Sequence, residues 1–254
     1  MRRRKRRLTL LLGLTILGLA QISWAADDQR AREIVDRVDQ LLRDNSSVGT
    51  VTMQISTENW QRNLVIQIWS LGTDHALIRI NSPQKEAGTA TLKVSNNIWN
   101  YLPKVNRTVK IPTSMMVASW MGSHFTNDDL VKGSRLIHDY SITTSFEGER
   151  NGVVVDEFTL TPKPEAPVVW GKIVLEVRQS DSMPTWQRFY DEEGKLIRDL
   201  TFSQYKTMGG KLIPTHLRMR PVDKAGEQTV LVYNDIAFDV AISADMFSLR
   251  NLGR

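Results

Sequence analysis

YSITTSFEGERNGVVVDEFTL, residues 140–160, decides the fold. Two runs of strand composition flank Asn151-Gly152, a pair in which both residues tolerate positive φ and the strongest two-residue hairpin signal in the chain. A hairpin joins antiparallel neighbours, so the rest of the chain either continues in that way or inserts crossover helices. Downstream lies a proline-rich corner at Pro162, Pro164 and Pro167. Beyond it, runs at Lys172 to Arg178, Thr185 to Tyr190, Leu196 to Tyr205, Lys211 to Arg220 and Gln228 to Phe238 are predicted strands, with Glu193-Gly194 and Gly209-Gly210 as turns. Upstream, Val51, Met53 and Ile55 alternate with Thr52 and Gln54, the period of a half-buried strand. Strands are also predicted at Leu64 to Trp69, Ala76 to Ile80, Ala90 to Val94, Ile98 to Leu102 and Arg107 to Ile111, with turns at Asn96-Asn97 and Pro103 to Asn106. With no crossover helix between them, these give about eleven or twelve strands in an antiparallel meander. Either half alone would have a small core and exposed edges, so one domain over residues 26–254 is expected.

The N-terminus reads differently. Arg2, Arg3, Arg4, Lys5, Arg6 and Arg7 precede an apolar run from Leu8 to Ala20, and Ser23 and Ala25 satisfy a small-x-small cleavage pattern. Residues 1–25 are therefore expected to be a signal peptide, cut after Ala25 or Ala26, and the mature protein to be periplasmic. Asp27 to Leu42 then spaces Ile34, Val35, Val38, Leu41 and Leu42 as on one face of an amphipathic helix, broken by Asn45 to Ser47. The charge of +5 misleads: six of the 33 basic residues lie before Ala26, leaving 27 against 28 acidic ones. A balance near zero with interspersed charges argues against nucleic acid as a partner. No cysteine is present, so disulfides and a lipobox anchor are both excluded.

Between the two strand series, Pro112 to Tyr140 carries Met115, Met116, Val117, Trp120, Met121 and Phe125. Unbranched thioether chains adapt to irregular apolar shapes, which suits a lid over an opening. Satellite core is the competing reading, and a plug inside a barrel is both until a guest displaces it. Thr126 and Asp129 form a capping box for a short helix, which Gly133 would end. Eight strands leave room for side chains or one small ligand, so a curl of about eleven leaves extra lumen. Ile66, Ile68, Trp69, Ile78, Trp99 and Tyr101 are the candidate lumen residues.

Chemistry is thinly represented. His124 and Asp128 could make an acid and base pair, but Asp128 and Asp129 fit the first turn of the expected helix, where the macrodipole favours carboxylates. His75, His138 and His216 are scattered over separate elements, and Glu192-Glu193 sits in a turn. Neither a phosphate-binding glycine loop nor a nucleophile elbow occurs. No catalytic residue, metal site or cofactor is expected.

Ala118-Ser119-Trp120-Met121-Gly122-Ser123, then Phe125-Thr126-Asn127-Asp128-Asp129-Leu130, resembles the LolA-like outer-membrane lipoprotein-sorting family of the LolA, LolB and RseB superfamily. Lys211-Leu212-Ile213-Pro214 with Leu217-Arg218-Met219, and Asn234-Asp235-Ile236-Ala237-Phe238 with Ile242 and Phe247, extend the likeness. His124 departs from it, standing where that pattern has an acidic residue. The resemblance implies a half-open antiparallel β-barrel of about eleven strands, mainly β with a few helices, whose helical lid shelters lipoprotein acyl chains. It further implies a monomeric periplasmic carrier of lipoprotein or lipid, with an inner-membrane transporter as donor and an outer-membrane acceptor. An RseB-like lipid-sensing module, or an accessory of an RND-type lipid exporter, is the alternative. A sensor is expected to need a further domain.

Overall fold

The computed structural model describes residues 19–132 and 136–253. Most of the expected leader, up to position 18, and the helix stop expected at Gly133 lie outside the described residues. From Leu19 the chain is helical through Gln40 (α1), across the expected cleavage site. Ala31, Ile34 and Val35, on the stripe set by the 3.6-residue period, are buried. The helix ends two residues before the expected Leu42. Gln40 O accepts from the amides of both Arg43 and Asp44, and Asp44 takes positive φ (51°), closing the last turn in the left-handed conformation.

Thirteen strands follow, one for each predicted run and one or two more than the expected count, and all pair into one sheet. They are β1 (Ser46–Ser56), β2 (Gln61–Leu71), β3 (His75–Ser82), β4 (Ala90–Val94), β5 (Asn97–Leu102) and β6 (Arg107–Ile111). After the intervening segment come β7 (Tyr140–Arg150), β8 (Val153–Pro162), β9 (Lys172–Arg178), β10 (Pro184–Tyr190), β11 (Leu196–Met208), β12 (Lys211–Pro221) and β13 (Gln228–Phe238). Their order is β6-β5-β4-β3-β2-β1-β13-β12-β11-β10-β9-β8-β7, antiparallel throughout. The first and last strands thus meet in the middle, and the two strands flanking the Met-rich segment form the edges. Asn151-Gly152 takes φ of 53° and 79°, and Gly209-Gly210 54° and 82°, the positive values that a tight hairpin turn matching strand twist requires. Register shifts in β1–β13, β2–β3, β7–β8, β9–β10 and β10–β11 bend the sheet. It curls without closing.

Residues of alternating parity face opposite sides of a strand. The main core lies on the concave side, where α1 and the intervening segment meet Leu64, Ile66, Ile80, Phe158, Leu160 and Leu175. A smaller cluster occupies the convex side: Leu77, Ala90 and Leu92 pack with Phe247 and Leu252 of the C-terminal hook, which ends in α4 (Leu249–Leu252). Arg79 fastens that hook by donating to Asn251 O and Leu252 O at 3.2 and 3.3 Å. Among the described residues no helix is long and apolar enough to cross a membrane.

Candidate binding cavity

The curled sheet leaves a cavity of about 290 Å³ on its concave side. Val38, Leu41 and Leu42 wall it from α1 and the turn after it, Ile68 and Ile78 from β2 and β3, and Trp170, Ile173, Phe189, Leu200 and Leu217 from the opposite half of the sheet. The described residues of the segment between β6 and β7, 112–132 and 136–139, lie over the gap as a lid. It contains turns of 3-10 helix at Thr113–Met115 and Trp120–Gly122, then α2 (Asn127–Lys132) and α3 (Leu136–Asp139). The capping box forms: Asp129 Oδ2 accepts from the Thr126 amide at 2.7 Å, and Thr126 Oγ1 from the Asp129 amide at 3.2 Å. That turn rotates Leu130 toward the cavity beside Phe125 and Leu136.

Four side chains fix the lid to the sheet. Trp120 donates its indole N–H to Thr91 Oγ1 at 3.0 Å, and Arg62 donates to Met121 O. Both ring nitrogens of His124 are engaged, Nδ1 with Thr229 Oγ1 at 2.8 Å and Nε2 with Glu227 at 3.1 Å. The hydrogen bond from His124 holds the Glu227 carboxyl below its ordinary value. The carboxylate that meets His124 thus comes from the turn before β13. Arg198, only 5 % exposed, donates to Asp129 at 2.5 and 2.8 Å and to His124 O at 3.1 Å, its guanidinium 4.3 Å from both the Trp170 and Phe189 ring centres. Charge-assisted bonds of this bidentate geometry are among the stronger single contacts in a protein.

The sequence-derived site residues do not all reach one place. Ile68, Ile78 and Phe125 line the cavity. Ile66 and Trp120 belong to the adjoining core, and Met116 and Met121 are half-buried. Met115 and Val117 are exposed, 48 % and 59 %, so a roof of methionines is corrected to one of Phe125, Leu130 and Leu136. Trp69, Trp99 and Tyr101 are also corrected: they lie on the convex side with the smaller cluster. Trp69 pairs with Leu77, Leu77 with Leu92 and Leu92 with Trp99, a row across four strands on the face that Ile68 turns away from. Successive residues of one strand cannot both look into the lumen.

Sequence reasoning missed the polar lining. Asp39 and Arg43 occupy the cavity wall four residues apart, on the same stripe as Val35, Val38 and Leu42. Arg198 shares the parity of Leu196, Leu200 and Phe202 in β11, an inward charge carried by the strand's alternation. Burial pushes the Asp39 carboxyl up to about 7, opposed by the Arg43 charge and by the Leu136 amide, which donates to it at 3.3 Å. Burial likewise pushes the Tyr233 phenol up to about 12, and it raises that of Tyr140, aided by the nearby Asp128 and Asp139. Among the described residues no cluster of three or more His, Cys, Asp or Glu could hold a metal ion.

A family model described as "-like: Uncharacterized protein" matches residues 72–254. No curated protein matches the chain significantly. Three crystal structures share its architecture. One, named an outer membrane lipoprotein-sorting protein domain, from Vibrio parahaemolyticus, is 23 % identical with a TM-score of 0.78, covering 89 % of this chain and 100 % of that one. A DUF1329 family protein from Desulfovibrio piger is 21 % identical, TM-score 0.79, over 89 % and 99 %. A LolA superfamily protein from Nitrosomonas europaea is 21 % identical, TM-score 0.74, over 87 % and 98 %. Identities this low speak for a common fold.

Proposed function

The chain belongs to the family whose model matches residues 72–254 and has the LolA-superfamily fold; from that premise we propose that it is a periplasmic carrier sheltering an acyl chain of a lipoprotein or lipid. One observation carries the reading: a cavity walled by leucine, isoleucine and aromatic side chains lies beneath a lid held by separable polar contacts. Each buried methylene gains about 0.8 kcal/mol, so six in the cavity would contribute about 5 kcal/mol, enough for sub-millimolar binding before ordering costs. An inner-membrane transporter would load the carrier and an outer-membrane acceptor would unload it, with the protein acting as a monomer. Carriage needs no chemical step, and the proposal includes none.

Titration of the purified protein with a fluorescent fatty acid tests this. Saturable binding is expected, weakened about tenfold or more by Leu217→Trp, which places an indole where the wall now leaves space. Binding that does not saturate, or that the blocked variant leaves unchanged, would end the proposal.

A further inference from the structure

The two arginines of the sheet that reach the lid find acceptors there: Arg62 at Met121 O and Arg198 at Asp129. Arg43 is different. It lines the cavity from the turn after α1, and among the described residues its guanidinium makes no hydrogen bond and no ion pair within bonding distance. Tyr233 lines the same cavity from β13, and its hydroxyl has no partner among the described residues either. Both line one cavity, where the Arg43 charge opposes the upward push of burial on Tyr233 and on Asp39. A guanidinium and a phenol on the wall of a mostly apolar cavity offer hydrogen-bond donors to the oxygens of a guest.

We propose that Arg43 and Tyr233 form a headgroup subsite that binds the anionic oxygens, carboxylate or phosphate, of an amphiphile whose acyl chain fills the apolar part of the cavity. This deepens the carrier reading and rests on it. The aspartates of the wall do not reverse the preference. Asp129 is taken by Arg198 and Thr126, and Asp128 and Asp139 have partners of their own within the protein. Asp39 accepts the Leu136 amide, and with its carboxyl pushed up to about 7 it balances Arg43 only in part at neutral pH. Tyr233 stays protonated throughout the physiological range and so remains a donor. An uncharged diacylglyceryl group would leave the guanidinium without a counter-charge, whereas a fatty acid or a phospholipid would supply one.

Displacement of the neutral fluorescent probe N-phenyl-1-naphthylamine from the purified protein separates the alternatives. The competitors share one chain: dodecanoate, dodecyl phosphate, dodecanol and dodecylamine, each below its micellar concentration, with inorganic phosphate alone as a further arm. Both anions should displace the probe at concentrations about tenfold lower than the alcohol, the gain expected of a hydrogen-bonded charge. Arg43→Gln should bring anion and alcohol within about twofold, and Tyr233→Phe should reduce the preference less, with the alcohol unaffected in both, which shows the cavity intact. Whichever anion is stronger assigns the headgroup as carboxylate or phosphate. Equal displacement by alcohol, tighter binding of the amine, retention of the preference in Arg43→Gln, or inorganic phosphate matching dodecyl phosphate would each overturn the subsite while leaving the acyl cavity standing. A probe that does not bind at all would overturn the cavity reading and the subsite with it.

Discussion

At the scale of single residues, the contact between Arg198 and Asp129 decides how firmly the lid is held. The arginine is nearly fully buried and the carboxylate is not, so the two deletions are unequal. Asp129→Ala strands a buried guanidinium and removes half of the capping box, and should cost about 3 kcal/mol in denaturant unfolding. Arg198→Met keeps the aromatic stack filled with an apolar chain and should cost less; equal losses would show that the charge pair contributes little. Asp39 gives a pH signature. Its folded-state value near 7 lies above the ordinary carboxylate range, so the native state holds a proton that the unfolded chain has already released. Stability is therefore lost as pH rises from about 4 to about 7, against the attraction of Arg43 and Lys93 and with the repulsion of Asp36. Asp39→Asn should stabilise the protein at pH 8 and leave it unchanged at pH 4, measured by thermal unfolding; the same gain at both would exclude the proton as cause. These residues were hard to see in the sequence. Asp39 and Arg43 sit on a stripe that the spacing assigned to the core, and polar residues on such a stripe look like its margin until tertiary packing closes over them.

At the scale of elements, what was legible was what is local. The Asn151-Gly152 hairpin, the Gly209-Gly210 turn and the Thr126–Asp129 box depend on neighbours within a few positions, and all three form. Lumen assignment depends instead on the parity of whole strands, and grouping Trp69 with Ile68 crossed that parity. The lid was misjudged for a related reason: its turns of 3-10 helix and the left-handed Met121 (φ 53°) follow no single period, so hydrophobicity alone did not say which side chains point inward. The two glycine turns can be ranked. A Cβ on Gly152 meets nothing within 4 Å, so Gly152→Ala should cost only the left-handed strain, about 1 kcal/mol. At Gly209 the Cβ would lie 2.7 Å from Ile236 O and 2.9 Å from the Phe238 ring, so alanine there adds a backbone clash to the same strain. Its loss in urea unfolding should be clearly larger, and similar values would mean that the β11–β12 turn gives way freely.

At the scale of the whole molecule, the chain was readable as a meander but not as a ring of neighbours with a gap. Pairing of β1 with β13 joins residues some 180 positions apart, for instance Thr52 with Val232, and no local signal encodes it. That pairing puts the edges at β6 and β7, and the lid closes the gap between them, so occupancy should be felt there. A ligand that binds only the folded state adds RT ln(1 + [L]/Kd), about 2.7 kcal/mol at a hundredfold excess over Kd, which for a protein of this size raises Tm by roughly 5–10 °C. Hydrogen exchange locates the gain. Amides of Trp120 to Lys132, of α1 and of β7 should slow on saturation with a fatty acid, because opening the lid exposes the guest together with those edges. The β11–β12 hairpin, whose far end beyond Pro214 lies outside the cavity wall, should be unaffected near Gly209. Uniform slowing over the whole sheet would mean that the guest stabilises global folding without passing through the lid, and the gap between β6 and β7 would then not be its door.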